Sequence, residues 1–474
     1  MLNNNLPKNI FRAYDIRGKA DLLGEYAEII GKAVGTYFVR KGQNKLVIGR
    51  DNRKSSKDLK ENFVRGLLSC GCEVMDIGLS SSPLLYFTVI NNMMDGGINV
   101  TGSHLPPTEN GFKIVGEKAY PIATLEIEKI RDIALNSDFA TGNGKYYEGN
   151  SVESYFKNIR NPIQLNRSLK IVIDCGNGIT GLFAPKVFKN LGCKVIELYC
   201  NLDDSFPNHL PDPEKEENIL DLKKKVIENK ADVGLAFDGD GDRLGVVDET
   251  GTYRETDFVL ILLARDYLSR HPGDKILFDV KSSQNVIDDI RASGGIPTLW
   301  KTGHSLIKQK MREEGILLGA EFSGHIFAFE DYYPFDDALY AGSKLLNILS
   351  SSKEPLSTHW NGLTRRYPTH LIELPCSDEK KFDIIQNIVD QVSSKYDVIT
   401  IDGARITFEH GWTVIRASNT SPNLTVRFEA DSPEYLSEII RRVEKLLIAY
   451  HEIDIKPLQN LLDEVLNNYS LTNK

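Results

Sequence analysis

The stretch Leu169 to Gly181, LKIVIDCGNGITG, joins a short apolar strand to a polar loop and then to the start of a helix. Two other stretches have the same plan, NKLVIGRDNRKSS at 44–56 and DKILFDVKSSQNV at 274–286. After each predicted helix a glycine precedes a second apolar run, in LLSCGCEVMDIG, FKNLGCKVIELY and IRASGGIPTLW. Because such strand-helix-strand units build parallel or mixed sheets covered by helices, the sequence predicts three related α/β domains.

The last hundred or so residues have a different pattern. Alternating strands are predicted in ARITFEHGWTVIRA (404–417) and LTVRFEA (424–430), followed by the amphipathic helix PEYLSEIIRRVEKLLIAYHE. This pattern predicts a smaller α+β domain. With domains of about 100–150 residues each, we expect boundaries that give four domains, at residues 1–150, 151–253, 254–365 and 366–474.

Composition restricts the class of protein and its partners. A hydrophobic content of 41% and a charged content of 26% are typical of folded soluble chains. The net charge of −9 gives no general attraction for nucleic acid or acidic lipid, so local Arg and Lys clusters must hold any anionic ligand. The first residues contain no apolar segment of signal-peptide length, and no later stretch is long and apolar enough to span a bilayer. We therefore expect a cytoplasmic protein with no nucleic-acid or membrane partner, and reduced cysteines.

The stretch FDGDGDRLGVVD (237–248) places Asp238, Asp240 and Asp242 at every second position. Like charges this close stay ionised together only if something cationic neutralises them, and hard oxygen donors suit a divalent ion. The stretch follows the predicted strand ADVGLAF, at the carboxyl end where open α/β sheets place ligands. These three residues are therefore candidate metal ligands.

An EF-hand is the competing interpretation of this loop, because the three aspartates and Glu249 fall at its first, third, fifth and twelfth places. The sixth place must be glycine for the turn, and here it is Arg243. A preceding strand also contradicts a helix-loop-helix. Three carboxylates leave coordination positions for a phosphoryl oxygen, which favours Mg²⁺, while an acidic solvated turn is the remaining alternative.

A second candidate loop is INVTGSHLPPTENGFKI (98–114), in which we expect a strand to end at Val100 and Ser103 to lie on a stiff, exposed loop. His104 is adjacent, but neighbouring side chains point apart in an extended chain. The pair is therefore weak evidence for a hydrolase. A proline-rich turn without chemistry is the alternative.

The third candidate is GAEFSGH (319–325), in which Glu321, Ser323 and His325 occupy alternate positions. On a strand all three would point one way, where they could bind vicinal hydroxyls of a sugar. A surface strand that alternates polar residues for solvation would look the same.

The fourth candidate is RASNTSPNLTVRFEA (416–430), which combines two arginines with small polar residues. Arginine offers planar bidentate donors for phosphate, and small polar residues let backbone N–H groups turn inward. The predicted anion-binding residues are Arg416, Ser418, Asn419, Thr420 and Arg427. An ordinary Asx or Ser turn is the alternative.

In this order the four stretches resemble the α-D-phosphohexomutase superfamily, most closely the bifunctional phosphomannomutase/phosphoglucomutases. The resemblance runs from FRAYDIRG (11–18) to RASNTSPNLTVRFEA, nearly the whole chain. Four separated motifs in a fixed order are far more specific than any one of them. The resemblance implies four domains around a central cleft, which contribute a phosphoserine loop, a metal loop, a sugar loop and a phosphate loop.

The resemblance also implies a reaction. Ser103 would carry a phosphoryl group in the resting enzyme, and Asp238, Asp240 and Asp242 would hold Mg²⁺ against it. Ser103 would phosphorylate a hexose phosphate to give hexose 1,6-bisphosphate. This intermediate would turn end over end in the site and return its other phosphate to Ser103. Hexose 6-phosphate and hexose 1-phosphate of mannose, glucose or both would thereby interconvert. A phosphoglucosamine mutase is the alternative, and a non-enzymatic sugar-phosphate or calcium-binding protein is a third hypothesis.

Further roles follow from the resemblance residue by residue. Positions near the transferring phosphate are matched by Arg17, Lys113, Arg243 and His104, and positions near the sugar by Tyr14, Lys281, His304 and His325. A histidine of ordinary pKa could move the hydroxyl proton near neutral pH. Leu105 replaces a common Asn, and Phe322 replaces a Met frequent in glucose and mannose members. We expect a monomer or weak homodimer.

Overall fold

The structure, a computed structural model, describes residues 6–419 and 421–472 of the chain. These residues form four sheets that follow one another along the sequence. Short 3-10 turns lie between the longer elements, at Lys8–Ile10, Glu117–Ala119, Ile179–Leu182, Glu216–Ile219 and Leu356–Trp360.

The first sheet has six strands in the order β1-β5-β4-β2-β3-β6. Its elements are β1 (Ile16–Lys19), α1 (Ala20–Val39), β2 (Lys45–Arg50), α2 (Ser56–Ser69), β3 (Glu73–Leu79), α3 (Ser82–Asn91), β4 (Gly96–Val100), β5 (Glu109–Gly116), α4 (Leu125–Asn136) and β6 (Lys145–Glu148). Helix α1 covers the sheet because Leu23, Ala27 and Ile30 recur at helical spacing on one fully buried face. Since β2 and β4 are parallel neighbours, the loops after Arg50 and Val100 leave the same edge of the sheet.

The second sheet has the order β11-β10-β9-β7-β8. Its elements are α5 (Val152–Arg160), β7 (Lys170–Asp174), α6 (Ala184–Asn190), β8 (Lys194–Leu198), α7 (Leu220–Asn229), β9 (Val233–Phe237), β10 (Leu244–Asp248) and β11 (Tyr253–Arg254). Strand β7 is parallel to β8 and β9, whereas β9 and β10 are antiparallel and pair Phe237 with Leu244. The predicted metal loop is therefore the turn of a hairpin at the carboxyl end of β9.

The third sheet has the order β13-β12-β14-β15. Its elements are α8 (Thr256–Arg270), β12 (Lys275–Asp279), α9 (Gln284–Ala292), β13 (Ile296–Trp300), α10 (His304–Glu314), β14 (Leu318–Ala320), β15 (Ile326–Ala328) and α11 (Ala338–Ser351). Residues 321–325 form the turn between antiparallel β14 and β15. The expectation that Glu321, Ser323 and His325 alternate along a strand is wrong, because Gly324 has φ +104° and closes a turn there.

The fourth sheet is antiparallel, in the order β16-β21-β20-β19-β18, with β17 also paired to β21. Its elements are β16 (Tyr367–Pro368), β17 (Ile372–Pro375), α12 (Lys381–Val392), β18 (Asp397–Ile399), β19 (Ala404–Phe408), β20 (Gly411–Ala417), β21 (Asn423–Ala430), α13 (Pro433–Leu447) and α14 (Lys456–Thr472). Helix α13 begins after Ser432, which caps it by accepting from the Tyr435 amide, and it buries Leu436, Ile440 and Val443 at helical spacing. Three α/β domains and a smaller α+β domain are thus the architecture that the sequence predicts.

The described residues cluster into two compact units. One unit contains the residues up to Leu277 together with Ile290–Pro297 and Gly303–Asn361. The other contains Phe278–Asp289, Thr298–Thr302 and the residues from Gly362 onward. Within this second unit, Arg405 Nη1 donates to the carbonyl oxygens of Val280 (2.6 Å) and Ser282 (2.9 Å), and Val280 packs with Trp412 and Val414. The segment around Val280 is therefore held by the fourth sheet.

Two further expectations from composition concern the thiols and the membrane. The six cysteines all lie in the described part of the chain and are free thiols. Among the helices of residues 6–419 and 421–472, none combines the length and the apolar character needed to cross a membrane.

Candidate active site

Ser103 lies directly after β4 in a tight turn and not in an extended chain. Its φ of +48° is left-handed, and this turn places Ser103 Oγ 3.3 Å from Nδ1 of His104 and 2.7 Å from Oδ2 of Asp238, to which it donates. Ser103 is only 2% exposed, while Pro106 and Pro107 remain exposed. The predictions that this serine is exposed and that His104 faces away from it are therefore wrong.

Arg53 holds the serine loop in this conformation. Its guanidinium donates to the carbonyl oxygens of Ser103 (2.7 Å), Leu105 (2.6 Å) and Pro106 (2.6 Å). Asp51 accepts from Arg53 Nε at 3.2 Å and also from the Gly102 amide at 3.1 Å. Neither residue of this pair was predicted from the sequence. Two opposite charges two residues apart directly after β2, Asp51 and Arg53 in GRDNR, were the available signal.

The metal loop is shaped by its own first aspartate. Asp238 Oδ1 accepts from the backbone amides of Gly241 (2.9 Å), Asp242 (3.0 Å) and Arg243 (3.1 Å). Gly239 permits a close approach to the serine loop, since a Cβ at this position would lie 2.2 Å from the carbonyl oxygen of Ser103. The sequence DGDGD therefore brings its carboxylates against Ser103.

Lys113 partly compensates the charge of this loop. Its Nζ lies 2.7 Å from Oδ2 of Asp240 and 2.6 Å from Oδ2 of Asp242. Burial opposes the charge on Lys113, but the two carboxylates raise its pKa well above the usual value. Burial also disfavours ionised Asp240, yet Lys113 lowers the pKa of that carboxyl. One ammonium group thus serves two of the three carboxylates.

Asp238 is the carboxylate that Lys113 does not contact within hydrogen-bonding distance. Burial and, next, the charges of Asp240 and Asp242 raise the pKa of Asp238 well above its usual value. All three aspartates are fully buried. The loop therefore needs more positive charge than the side chains around it provide.

The donor atoms fit a hard divalent ion such as Mg²⁺. Each aspartate offers one oxygen, and these oxygens lie within 4.8 Å of one another. In the described part of the chain, Oδ1 of Asp240 and Oδ1 of Asp242 are buried and have no hydrogen-bond partner. Buried oxygens without donors are costly unless a cation is bound. The EF-hand interpretation is wrong, because the loop joins two strands and Glu249 instead accepts from the Ser357 amide at 3.1 Å.

A second cluster is centred on Asp336. His325 Nδ1 donates to Asp336 Oδ2 at 2.8 Å, and His325 Nε2 accepts from Arg243 Nε at 3.1 Å. His304 stacks on His325 with ring centroids 4.9 Å apart, and its Nδ1 lies 3.5 Å from Asp336. Asp336 Oδ1 accepts from the fully buried Lys308 at 2.8 Å. Asp336 and Lys308 were not predicted from the sequence.

Burial and nearby cations lower the pKa values of two histidines in this site, His304 and His104. Burial and then Lys308 lower the pKa of His304. Burial and then the charges of Arg243 and Arg17 lower the pKa of His104 well below its usual value. Burial would favour neutral Asp336, but Lys308 holds its pKa well below the usual range, so this carboxylate stays ionised beside the Nδ1 atoms of both histidines.

The remaining residues predicted for the first unit lie around these clusters. Ser323 Oγ donates to Glu321 Oε1 at 2.9 Å, so both groups share one side of the β14–β15 turn. Tyr14 meets His304 edge to face, with ring centroids 6.3 Å apart. Arg17 donates from Nε to Asp15 at 2.8 Å. The structure thus brings the predicted serine, metal and sugar loops together in one unit.

The predicted phosphate loop belongs to the second unit. Arg416 Nε donates to Asp402 Oδ2 at 2.8 Å, and the amide of Ser421 donates to Ser418 Oγ at 3.2 Å. Asn419 is described with them, whereas Thr420 lies outside the described residues. Asp402, which holds Arg416 in place, was not identified from the sequence.

Lys281 and Arg427 also belong to the second unit. Lys281 Nζ lies 3.2 Å from Oδ2 of Asp279. Arg427 is fully buried, and its guanidinium donates to the carbonyl oxygens of Lys281 (2.5 Å) and Thr369 (3.3 Å). This arginine therefore holds the backbone of Lys281, which differs from the direct anion contact that the sequence suggested.

The chain is similar to known proteins along most of its length. It matches the descriptions "Phosphoglucomutase/phosphomannomutase, alpha/beta/alpha domain I" over residues 8–141, domain II over 153–251 and domain III over 255–367. The C-terminal domain of the same family matches residues 371–446.

Individual relatives cover nearly the whole chain. A phosphomannomutase/phosphoglucomutase of Pseudomonas aeruginosa is 44% identical over 441 residues, which are 92% of this chain and 94% of the relative. A phosphoglucomutase of Neisseria meningitidis is 40% identical over 447 residues, covering 92% and 96%. A crystal structure of a phosphoglucomutase/phosphomannomutase family protein from Burkholderia thailandensis has a TM-score of 0.87 at 38% identity, covering 94% of this chain and 98% of that one.

Proposed function

The chain belongs to the phosphoglucomutase/phosphomannomutase family and is a hexose-phosphate mutase, an isomerase of carbohydrate metabolism, and from this premise we propose how its residues divide the reaction. Ser103 carries the phosphoryl group between the 6- and 1-positions of mannose and glucose phosphates. The observation that supports this most directly is the 2.7 Å contact between Ser103 Oγ and the buried Asp238 of the triple-aspartate loop. Hexose 1,6-bisphosphate is the intermediate and, when added, the activator.

The transfer breaks one P–O bond and forms another. The phosphoryl group leaves Ser103 Oγ and bonds to a free hydroxyl oxygen of the sugar phosphate, whose proton passes to a base. Ser103 Oγ takes up one proton, which balances the one lost by the sugar hydroxyl, and in that form it donates to Asp238. The bisphosphate then reorients so that its other phosphate faces Ser103. The same steps run in reverse with that phosphate, so the position of the phosphate on the sugar changes.

Charge stabilisation is the main task of the surrounding side chains, because the transferred phosphoryl group spreads negative charge over three oxygens. Lys113, Arg243 and Arg17 supply fixed positive charge on the first unit. Mg²⁺, when bound by Asp238, Asp240 and Asp242 beside Ser103, would withdraw charge from the phosphoryl oxygens. The buried oxygens of Asp240 and Asp242 that lack donors support this assignment.

The stacked imidazoles of His304 and His325 are proposed to take the hydroxyl proton, His325 only after its Nε2 is released from Arg243 Nε. Both Nδ1 atoms lie within 3.5 Å of ionised Asp336, which would stabilise an imidazolium formed on either ring. His104, whose pKa is kept well below its usual value by burial and adjacent cations, stays neutral and orients Ser103.

Recognition of the sugar phosphate is assigned to the remaining predicted residues. Glu321 and Ser323 bind sugar hydroxyls, with Tyr14 beside His304. Arg416, Ser418, Asn419 and Thr420 bind the phosphate that does not react, and Lys281 acts near the sugar. Arg427 is assigned the positioning of Lys281 because its guanidinium donates to the Lys281 carbonyl.

A coupled assay tests this function. Wild-type protein with Ser103 phosphorylated is given mannose 1-phosphate, glucose 1-phosphate or glucosamine 6-phosphate, with Mg²⁺ and a catalytic amount of the hexose 1,6-bisphosphate. We expect turnover of the mannose and glucose substrates. Preferential conversion of glucosamine 6-phosphate would favour the phosphoglucosamine mutase, and no turnover of any sugar by folded, phosphorylated protein would overturn the proposal.

We also propose the cellular location, the oligomeric state and the domain boundaries of the protein. Free thiols are typical of reducing compartments, which supports a cytoplasmic location. A monomer or weak homodimer is expected, and light scattering after size exclusion measures it. Domain boundaries near residues 150, 253 and 365 are supported by the family matches, which change domain at 141–153, 251–255 and 367–371.

A further inference from the structure

Ser82, the first residue of α3, holds Asp240 of the metal loop at two points. Its hydroxyl donates to Asp240 Oδ2 at 2.5 Å, and its backbone amide donates to the Asp240 carbonyl oxygen at 2.9 Å. Both residues are fully buried. A serine from the first domain therefore fixes both the main chain and the side chain of one metal-loop aspartate from the second.

Asn99 determines the direction of the Ser82 hydroxyl. Asn99 Nδ2 donates to Ser82 Oγ at 3.0 Å, so this oxygen accepts from the amide and its own hydrogen points to Asp240. Asn99 lies on β4, the strand that ends just before the Ser103 loop. The strand that presents Ser103 thus also orients Asp240.

These contacts decide which oxygen of Asp240 is available to an ion. Oδ2 accepts from Ser82 and also contacts Lys113 at 2.7 Å, whereas Oδ1 has no hydrogen-bond partner in the described part of the chain. A carboxylate whose rear oxygen is occupied cannot rotate without losing both contacts. Hydrogen bonds behind a ligating group of this kind typically contribute 10- to 100-fold to metal affinity.

We propose that Ser82, oriented by Asn99, is a positioning residue that aims Asp240 at the divalent ion. The inference rests on the proposed function and adds two residues to it. Helix capping does not explain Ser82, because Ser81 is the N-cap of α3 and accepts from the Leu84 amide at 3.2 Å. Ser81→Ala is therefore a matched control, because it removes the same hydroxyl group from the neighbouring residue.

The test measures the dissociation constant of Mn²⁺ by calorimetry and by the electron paramagnetic resonance signal of the free ion. Wild type, Ser82→Ala, Ser82→Thr and Ser81→Ala are compared at one phosphorylation state of Ser103, checked by intact mass. We expect Ser82→Ala to weaken Mn²⁺ binding about 10- to 100-fold. Ser82→Thr, which keeps the hydroxyl, should restore most of the affinity.

Ser81→Ala should lower the thermal midpoint without changing the Mn²⁺ constant. An unchanged constant in Ser82→Ala, or an equal loss in Ser81→Ala, would overturn the inference. If Ser82→Ala does not fold, Asn99→Ala is tested in its place. We expect it to lose less Mn²⁺ affinity than Ser82→Ala would, and an unchanged affinity would contradict the proposal. Wild-type turnover is measured in parallel, so failure of the mutase function is recognised separately from failure of the positioning role.

Discussion

Ser103 occupies a left-handed backbone conformation that residues other than glycine adopt only at a cost of about 1–2 kcal/mol. Its φ of +48° is maintained by the contacts of Arg53 with the loop and by the bond from Ser103 Oγ to Asp238. The strain sits at the one hydroxyl to which the proposed chemistry assigns the phosphoryl group, as is common where a reacting atom must be presented at a fixed position.

Replacing Ser103 by alanine tests the carrier role. We expect mutase activity to fall at least about 1,000-fold, because no other hydroxyl occupies this position, and the phosphoryl mass to disappear. The thermal midpoint should stay near that of wild type. Ser103→Gly is the control for backbone strain: it should be equally inactive but at least as stable, because glycine tolerates a left-handed φ. Normal activity in Ser103→Ala would contradict the carrier role.

Arg416 allows recognition of the distant phosphate to be separated from chemistry. Arg416→Ala should raise KM about 10-fold or more with a smaller change in kcat, because its proposed partner is the phosphate that does not react. Asp402→Asn, which loosens Arg416 without removing it, should show the same pattern more weakly. Steady-state kinetics with glucose 1-phosphate measures both, and a large kcat loss at unchanged KM would exclude this role.

The sequence predicts the identity of these residues better than their surroundings. Ser103 and the three aspartates stand out because their types and spacing are chemically unusual. The pairing of Lys113 with Asp242 joins positions 129 residues apart, so no local pattern announces it. The burial of Ser103 is likewise created by Gly239 and the metal loop, which come from another domain.

Among the elements, the loop after β2 supports the serine loop after β4. Arg53→Met would leave the buried Asp51 carboxylate without its cationic partner, and the carbonyl oxygens of Ser103, Leu105 and Pro106 without their side-chain donor. We expect its domain to lose about 3–5 kcal/mol in free energy of unfolding. Hydrogen exchange should quicken between Gly102 and Glu109. Arg50→Ala, which removes a single bond from a half-buried side chain, is the control and should change neither measurement much.

The loop between β8 and α7 gives a pH prediction through His209. Its Nδ1 lies 2.8 Å from the Leu210 carbonyl oxygen, and its Nε2 lies 3.1 Å from Oδ2 of Asp174 at the end of β7. Burial alone would lower the pKa of His209, but the bond to Asp174 raises it above the ordinary value. A raised pKa means that the protonated ring stabilises the fold below about pH 6.5, and that this stability is lost as the pH rises through the folded-state pKa.

His209→Gln should therefore lower stability clearly at pH 6 and much less at pH 9. Denaturant unfolding at the two pH values measures the difference. His451→Gln, at an exposed position, should show no such dependence. An equal loss at both pH values would mean that packing and not the charge of His209 stabilises this loop.

Strands and helices of the sheets are predictable because their apolar residues recur with period two or 3.6, as on α1 and α13. The stretch GAEFSGH shows the limit of this signal. Three alternating polar residues are compatible with a strand or with a hairpin turn, and the left-handed Gly324 decides for the turn. The strand and the hairpin turn can be told apart only from the pairing of β14 with β15, which is a contact between two strands.

At the scale of the whole molecule, the excess negative charge of the metal loop predicts that a divalent ion stabilises the fold. Mg²⁺ that binds only the native state, at 100 times its dissociation constant, adds about 2.7 kcal/mol to the free energy of unfolding. Differential scanning fluorimetry should show a higher midpoint of the first unit in MgCl₂ than in EDTA. Asp240→Asn should lose most of this rise while Ser81→Ala keeps it. An identical midpoint for wild type in both buffers would argue against the site.

The number and order of the sheets follow from the repeated strand-loop-helix stretches, and the sequence predicts them correctly. Which segments cluster together does not follow from order along the chain. Phe278–Asp289 stands in the third predicted domain, yet it clusters with the residues from Gly362 onward. The buried side chains of Arg405 and Arg427 hold it there, and their acceptors are backbone carbonyls that no sequence pattern reveals.

Because Phe278–Asp289 clusters with the residues from Gly362 onward, the gene cannot be divided simply at a predicted domain boundary. A recombinant fragment starting at residue 366 would carry two buried guanidinium groups without the acceptors that Val280, Lys281 and Ser282 provide. It would also leave Trp412 uncovered by Val280. Expressing the second unit separately would require grafting Phe278–Asp289 and Thr298–Thr302 onto it through designed linkers, since this compact unit is discontinuous along the chain.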